Sequence, residues 1–180
     1  MVGNDIVDLA EAQHASNWQR SRFLDKLFTE SEQDYIMNAE NPFKMVWRLW
    51  SIKEASYKLY TQLYPSRFYN PKGFECTINN TSSSVKFRHF QCFVETKETS
   101  HYIISEAWLT KQKFSSEIVK FEHTSKKEKS EALKTKLLHF VGKAYWLQKN
   151  EVGVPTLSKG KEHLNISLTH HGSYGAFAVG

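Results

Sequence analysis

A helical stripe in the first half of the chain places the strongest constraint on the fold. Between residues 43 and 64, apolar side chains recur every three or four positions, which puts them on one face of a helix: Leu49, Ile52, Ala55, Leu59 and Leu63. Pro42 favours a restart of the chain before this segment, and Pro65 ends it. We therefore expect a long helix with its apolar face on a core and charged residues on its polar face.

Strand-like segments follow this helix. Residues 74–79, 85–95 and 101–110 are rich in β-branched and aromatic residues, and polar turns separate them, so they predict three antiparallel strands. The first residues, "GNDIVDL", are a further strand candidate. Between this strand candidate and the long helix, "FLDKLFTESEQDYIMNA" predicts two short helical pieces, the second capped by Thr29 or Ser31.

The last third of the chain predicts another helix and a pair of strands. The segment "SEALKTKLLHFVGKAYWLQ" has a helical apolar face made of Leu133, Leu137, Phe140, Val141, Tyr145 and Leu147. "NEVGVPTLSKGKEH" is typical of a turn region, and "LNISLTHHGSYGAFAVG" predicts two short strands around "THHG". The order β-α-α-β-β-β followed by β-α-β-β indicates an α+β fold.

Composition limits the class of protein. Hydrophobic residues make up 40% and aromatic residues 14% of the 180 positions, which is typical of a globular chain long enough for one sizeable core. No apolar run reaches the roughly 18 residues of a membrane-spanning helix. The first residues carry acids where a signal peptide needs basic residues, so we expect a cytoplasmic protein without a membrane partner.

Cysteine usage and charge narrow the possible ligands. Cys76 and Cys92 lack the spacing of a disulfide framework or a zinc site. The net charge of +5 favours anionic partners, which include nucleic acids, phosphorylated cofactors and acidic proteins, and does not choose among them.

Four segments can carry chemistry, and each has an ordinary structural explanation when taken alone. Asp5 in "GNDIVD" can end a strand, and "GVPTL" can be a simple turn. Glu54 lies next to Lys53 and four residues before Lys58, the spacing of a surface ion pair that contributes about 0.3–0.5 kcal/mol. His170 in "SLTHHG" can be structural.

Taken together, the four segments predict a site for a substrate that carries a pyrophosphate. Asp5 and Glu54, distant in sequence, form a usual pair of ligands for Mg²⁺, which takes its other ligands from water and phosphate oxygens. The remaining polar residues suit phosphates: Lys53, Lys58, Thr169 and His170. Neither a P-loop nor a dinucleotide-binding glycine motif is present, so those two classes of phosphate site are disfavoured.

The segments "GNDIVDL", "LWSIKEASYK", "GVPTL" and "ISLTHHGSYGAFAV" resemble the 4′-phosphopantetheinyl transferase superfamily, which includes the holo-acyl-carrier-protein synthases. The K-E-A-x-x-K helix is the most specific of these motifs, and residues 75–130 match only in their strand-rich character. The resemblance implies transfer of the phosphopantetheine arm of coenzyme A to a serine of an acyl- or peptidyl-carrier protein. Adenosine 3′,5′-bisphosphate would be released.

The resemblance also implies roles for single residues. Asp5 and Glu54 would bind Mg²⁺ as the cofactor, and Glu54 would help to deprotonate the incoming serine. Lys58 would contact the pyrophosphate and assist the leaving group, and Lys53 matches the lysine that precedes the family's glutamate. Further contacts with coenzyme A, the co-substrate, would come from Thr169 and His170 to its phosphates and from the backbone of Gly153 and Pro155 near its nucleotide.

Two positions depart from the family pattern. Val7 stands where larger members carry a third acid, so we predict a site with two carboxylates and consider Asp8 as a helper beside them. Val154 stands where lysine is common in the G-x-P turn. With valine there, a backbone contact of the turn would be preserved and a side-chain contact would be lost.

The order of the motifs predicts an unusual arrangement of the chain. In the large, two-lobed members, the G-K-P and S-H-S motifs precede the D-I-E and K-E motifs. In this sequence, D-I-V-D and K-E come first, and G-V-P and T-H-H come last. We expect a single domain of two pseudo-equivalent lobes, each a long helix on a small antiparallel sheet, related to the large members by circular permutation. A metal-binding lobe would span about residues 1–118 and a coenzyme A-binding lobe about 119–180. Close termini and a monomer would follow, with the trimer of the small members as the alternative.

Partners and alternatives complete the expectations. Carrier proteins are acidic, so Arg20 and Arg22 are candidates for docking, although they can equally be plain surface arginines. One alternative is an inactive homologue that only binds coenzyme A or a carrier. A less favoured alternative is a nucleic-acid-binding domain that uses Lys126, Lys127, Lys129, Lys134 and Lys136, but no RNA-binding motif is visible and we expect no nucleic-acid partner.

Overall fold

The computed structural model describes residues 1–79, 82–110, 114–122 and 125–180. The helices are α1 (Leu9–Ala15), α2 (Phe23–Leu27), α3 (Glu30–Met37), α4 (Pro42–Leu63) and α5 (Lys126–Val141), with a 3₁₀ turn at Pro71–Gly73. The first strands are β1 (Gly3–Asp8), β2 (Glu75–Asn79), β3 (Ser82–Phe87), β4 (Phe90–Glu98) and β5 (Tyr102–Trp108). The later strands are β6 (Ser115–Lys120), β7 (Trp146–Lys149), β8 (Pro155–Lys159), β9 (Glu162–His171) and β10 (Tyr174–Val179).

These strands form two antiparallel sheets, which confirms the predicted α+β class. The first sheet has the order β1-β5-β4-β3-β2, and the second has the order β6-β10-β9-β8-β7. Helix α4 packs on the first sheet and α5 on the second. The expected lobe boundary near residue 118 falls within β6, whose pairing with β10 puts that strand in the second sheet. No helix in the described part of the chain has the length and apolarity needed to cross a bilayer.

Helix α4 forms where the apolar stripe predicted it. Asn41 caps its first turn by accepting a hydrogen bond from Lys44 N, and Pro42 occupies the first helical position. The stripe residues Leu49, Ile52, Ala55 and Leu59 are fully buried. A side chain at Gly3 would collide with the carbonyl oxygen of Ala55, so glycine allows β1 to lie directly on α4.

Strand β1 is also the contact between the two sheets. It forms an edge of the first sheet, and side chains of β9 accept hydrogen bonds from alternate backbone amides along that edge. These bonds run from Asn4 N to Ser167 Oγ (2.9 Å), from Ile6 N to Thr169 Oγ1 (3.3 Å) and from Asp8 N to His171 Nδ1 (3.0 Å). We call this row of contacts the β1–β9 seam. It satisfies edge donors and fixes β9 relative to β1.

The first and last strands lie close together. Gln62 Nε2 donates to Val2 O at 2.7 Å and to Ile166 O at 3.2 Å, and Ile166 pairs with Val179 across β9 and β10. This proximity is what the permutation hypothesis requires. The circular permutation itself stays a prediction.

Several predicted elements differ in their bounds. The single strand expected at residues 85–95 is wrong, because the chain turns at Arg88, whose φ is 55°, and forms the β3–β4 hairpin. The second long helix ends at Val141, because Gly142 has a φ of 102°. Leu147 therefore lies in β7, and Phe140 is 47% exposed. Part of the expected turn region forms β8. The cap at Thr29 is confirmed, with Glu32 completing a capping box.

Candidate functional site

All but one of the residues predicted for metal and phosphate binding line one cavity of about 510 Å³, the exception being Lys53. Strand β1 contributes Asp5, α4 contributes Glu54 and Lys58, and β9 contributes Thr169 and His170. Asp5 reaches the cavity because β1 lies on α4, where Ser51 Oγ donates to the Asp5 carbonyl oxygen at 3.0 Å. Residues from both ends and the middle of the sequence therefore meet in this cleft.

A second cavity of about 250 Å³ adjoins the first and contains the predicted G-x-P turn. Glu54 and Lys58 line both cavities, and Gly153 and Pro155 line the second. Asn150 Oδ1 accepts from Val152 N and Val154 N and so builds the turn, and Gly153 has a φ of 88°, which favours glycine. The turn predicted to contact a nucleotide therefore lines the same cavity as Glu54.

Two donors converge on one oxygen of Asp5. Lys58 Nζ lies 2.9 Å from Asp5 Oδ1 and also donates to Asn4 O at 3.0 Å. Thr169 Oγ1 donates to the same Oδ1 at 2.9 Å, and it accepts from Ile6 N in the seam. Because a hydroxyl has one proton, Thr169 can donate to a phosphate only by leaving Asp5.

Glu54 is a largely buried carboxyl group whose ionisation its surroundings oppose. Burial raises its pKa, the ammonium of Lys58 opposes that effect, and the carboxylate of Asp5 adds to it. Within residues 1–79, 82–110, 114–122 and 125–180, no group of three or more histidine, cysteine or acidic side chains is arranged to hold a metal. Two hard oxygen ligands with room for water and phosphate oxygens fit Mg²⁺. The residues present therefore suit the metal that the sequence predicted.

Positive groups surround the other end of the cleft. The pKa of His170 is lowered, first by burial and then by the charges of Lys126, Lys129, Lys58 and His171. Lys126, Lys129 and His170 line a further cavity of about 300 Å³, where Lys129 Nζ donates to Gly172 O at 2.8 Å. This charge arrangement attracts anions. Two lysines of the run that the sequence offered to a nucleic acid therefore lie beside His170.

Lys53 is not placed as predicted. Its side chain is 2% exposed, and its ammonium bonds Glu32 Oε2 at 2.8 Å, Phe74 O at 2.7 Å and Pro71 O at 3.0 Å. These three partners occupy the donors of the ammonium. Lys53 therefore lies in the core beneath the site, with protein partners in the place of a phosphate, and its contact with coenzyme A stays a prediction.

Asp8 is likewise engaged elsewhere. Its Oδ1 caps α1 by accepting from Ala10 N and Glu11 N, and its Oδ2 accepts from Ser173 N at 2.7 Å. Side chains alternate across a strand, so Asp8 and Asp5 point to opposite faces of β1. Asp8 therefore caps α1 and holds the turn between β9 and β10, with both of its oxygens engaged by backbone amides.

The two arginines predicted for docking line a neighbouring cavity of about 630 Å³. Arg20 and Arg22 precede α2, and the cavity also contains Lys26. Trp50 and Tyr69 line both this cavity and the one with Asp5. A basic and aromatic groove therefore leads into the candidate site.

Sequence reasoning missed several residues of the cleft. Lys149 lines both of the cavities described above, and Trp50 and Tyr69 line the larger one, together with Lys134 of the lysine run. Lys149 lies four residues before Gly153, but no motif marks it. Trp50 lies inside the "LWSIKEASYK" segment, whose motif does not mark it.

Comparison with known proteins gives the family. A family model described as the 4′-phosphopantetheinyl transferase superfamily matches residues 1–115, which is more than half of the chain. A holo-[acyl-carrier-protein] synthase from Chlamydia felis is 33% identical over 54 residues, covering 30% of this chain and 44% of that protein. The corresponding synthase from Chlamydia caviae is 32% identical over 54 residues, with the same 30% and 44% coverage. The chain thus spans less than half of the length of these relatives.

The family match and the geometry of the cleft agree. The matched residues 1–115 contain Asp5, Glu54 and Lys58, which the fold brings together. The chain belongs to the 4′-phosphopantetheinyl transferase superfamily.

Proposed function

We propose that the protein transfers the 4′-phosphopantetheine arm of coenzyme A to a serine of an acidic acyl- or peptidyl-carrier protein, releasing adenosine 3′,5′-bisphosphate. The observation that carries this proposal is the convergence of Asp5, Glu54, Lys58 and His170 in one cleft of a chain from this superfamily. Phosphoryl chemistry asks a protein mainly for positioning and charge stabilisation, and the cleft offers both acids and cations.

Asp5 and Glu54 would hold Mg²⁺. The metal would neutralise charge on the diphosphate of coenzyme A. Glu54 has the further role of accepting the proton of the serine hydroxyl, for which its raised pKa suits it. The serine oxygen then bonds to the phosphorus that carries the pantetheine arm, and the bond from that phosphorus to adenosine 3′,5′-bisphosphate breaks.

Lys58 would exchange partners during this reaction. Its ammonium is bonded to Asp5 before substrate arrives, and its flexible stem allows it to turn to the diphosphate. There it stabilises the charge that develops on the leaving oxygen. Once a metal ion neutralises Asp5, the bond between Lys58 and Asp5 is no longer needed.

The remaining parts of coenzyme A would lie along the cleft. His170, with Lys126 and Lys129 beside it, would bind phosphate, since these groups create a positive potential. The Gly153–Pro155 turn would contact the nucleotide in the adjoining cavity. Val154 replaces the lysine that is common in this turn and so brings no charge. Lys149, which lines both cavities, adds positive charge there.

The carrier protein would dock at the groove lined by Arg20 and Arg22. This groove is basic, is continuous with the cleft through Trp50 and Tyr69, and so can guide an acidic partner towards Glu54. The residues that we assign to the site lie on one chain, which supports a monomer as the active form.

The proposal is tested by incubating the purified protein with Mg²⁺, coenzyme A and a panel of apo carrier proteins from fatty acid, polyketide and peptide synthesis. We expect at least one carrier to gain the mass of a phosphopantetheine arm. If the protein binds coenzyme A but modifies no carrier in a panel that includes those of its own cell, the inactive-homologue alternative is correct.

A further inference from the structure

We propose that Thr169 is a positioning residue that fixes the Asp5 carboxylate for metal binding, so that the second sheet completes the metal site of the first. This inference rests on the metal site of the proposed function. It gives Thr169 a role different from the phosphate contact that the sequence predicted.

The geometry determines the direction of both hydrogen bonds of the Thr169 hydroxyl. Ile6 N can only donate, so Oγ1 accepts from it at 3.3 Å. The hydroxyl proton is then donated to Asp5 Oδ1 at 2.9 Å, because a carboxylate can only accept. Thr169 is 7% exposed and Asp5 is 6% exposed, so water competes little for this bond.

Lys58 and Thr169 hold Asp5 in different ways. Both donate to Oδ1, and neither of these bonds uses Oδ2. The lysine has a mobile stem and a side chain that is 23% exposed, whereas the threonine is fixed in β9. When Lys58 moves to a phosphate, the bond from Thr169 keeps the carboxylate in place. Partners of this kind, which orient a metal ligand without touching the metal, typically change metal affinity 10- to 100-fold when removed.

The β1–β9 seam supplies a matched control. Ser167 and Thr169 lie two residues apart on β9, are both buried, and both accept a backbone amide of β1. The described bonds give only Thr169 the additional contact with Asp5. A general loss of seam stability therefore affects Ser167→Ala and Thr169→Val alike, while the loss of Asp5 orientation affects Thr169→Val alone.

The test measures binding of Mn²⁺, alone and with coenzyme A, by electron paramagnetic resonance of the free ion. Thr169→Val, which keeps the shape and removes the hydroxyl, is expected to raise the Kd for Mn²⁺ by about 10-fold or more. Thr169→Ser, which keeps the hydroxyl, and Ser167→Ala are expected to change the Kd for Mn²⁺ by much less than this 10-fold effect. In an Asp5→Asn background, the Kd for Mn²⁺ should no longer differ between threonine and valine at position 169.

The inference would be overturned if Thr169→Val left the Kd for Mn²⁺ unchanged, or if Ser167→Ala raised it as much as Thr169→Val does. Failure of the wild type to bind Mn²⁺ would also overturn it. Circular dichroism checks that each variant is folded, and Thr169→Ala takes the place of Thr169→Val if the latter does not fold. The two proposals fail separately: a protein that binds Mn²⁺ in this pattern but modifies no carrier would refute the transferase and leave the role of Thr169 intact.

Discussion

The ammonium of Lys58 lies 2.9 Å from Oδ1 of Asp5, a residue 53 positions away, and this is the ion pair that the structure describes for Lys58. The sequence spacing favoured a pair with Glu54, one helical turn away, and the structure describes a different partner. Lys58 still lowers the pKa of Glu54 through its charge. In the metal-free protein, Lys58 therefore supplies positive charge at the place where we propose that a metal ion binds.

Replacing Lys58 should separate catalysis from metal binding. In Lys58→Gln, kcat for transfer is expected to fall by about 10²- to 10³-fold, the usual cost of losing one group that stabilises charge in the transition state. The Kd for Mn²⁺ should not rise, because the lysine competes with the metal for Asp5. Lys97→Gln, an exposed substitution on β4, is the matched control. A wild-type kcat in Lys58→Gln would remove Lys58 from the reaction.

Glu54 should make the stability of the metal-free protein depend on pH. Burial raises its pKa above the value in the unfolded chain, so the folded state binds the proton more tightly. The free energy of unfolding should therefore decrease as pH rises from the unfolded pKa through the raised folded pKa. Metal binding and transfer, which need the carboxylate, should be lost on acidification at a higher pH than an exposed glutamate would give.

The variant Glu54→Gln tests both parts of this argument. It should abolish transfer, remove the contribution of Glu54 to the pH dependence and raise the Tm of the metal-free protein at neutral pH. Thermal melts across the pH range, with a chelator present, provide the comparison. Identical pH profiles for wild type and Glu54→Gln would show that Glu54 is not desolvated as described.

Lys53 should matter for stability and not for substrate binding. Its pair with Glu32 is buried on both sides, so Lys53→Met leaves an unpaired carboxylate in the core, which typically costs about 3–5 kcal/mol. Urea unfolding measures this loss, and the double variant Lys53→Met with Glu32→Gln should recover part of it. If Lys53→Met instead kept its stability and showed a raised KM for coenzyme A, the phosphate role suggested by the family motif would be correct.

The arginines at the groove should act on the carrier alone. The pair of substitutions Arg20→Glu and Arg22→Gln is expected to raise the KM for the carrier several-fold, most strongly at low salt, because rim charges act mainly on association. The KM for coenzyme A should not change. Lys97→Glu combined with Lys86→Gln, at two exposed positions on β4 and β3 that do not line the groove, is the control for the same change in net charge. Equal effects of the groove and control variants would leave no docking role for the arginines.

Local patterns predicted much of the fold, and long-range pairing explains what they missed. The stripe of α4 and the cap at Thr29 depend on neighbouring residues, so the sequence shows them directly. The core position of Lys53 depends on Glu32 and on carbonyl groups far along the chain. The break at Arg88 had no glycine to mark it.

The candidate site shows the same division. Asp5, Glu54, Lys58 and His170 stood in recognisable motifs, and the fold brings them into one cleft. Lys149 has no motif and reaches the cleft only through the pairing of β7 with β8. The double use of the Thr169 hydroxyl depends on the contact between two sheets, which no local pattern encodes.

The most direct test of the central claim is a stoichiometric transfer assay. Wild-type protein and Glu54→Gln are each incubated with Mg²⁺, coenzyme A and a carrier from the same cell, and mass spectrometry of the carrier is combined with chromatography of the nucleotides. We predict that the wild type places one phosphopantetheine arm on a carrier serine for each adenosine 3′,5′-bisphosphate released, and that Glu54→Gln does neither. Intact coenzyme A and an unmodified carrier in the wild-type reaction, or equal transfer by Glu54→Gln, would contradict the account.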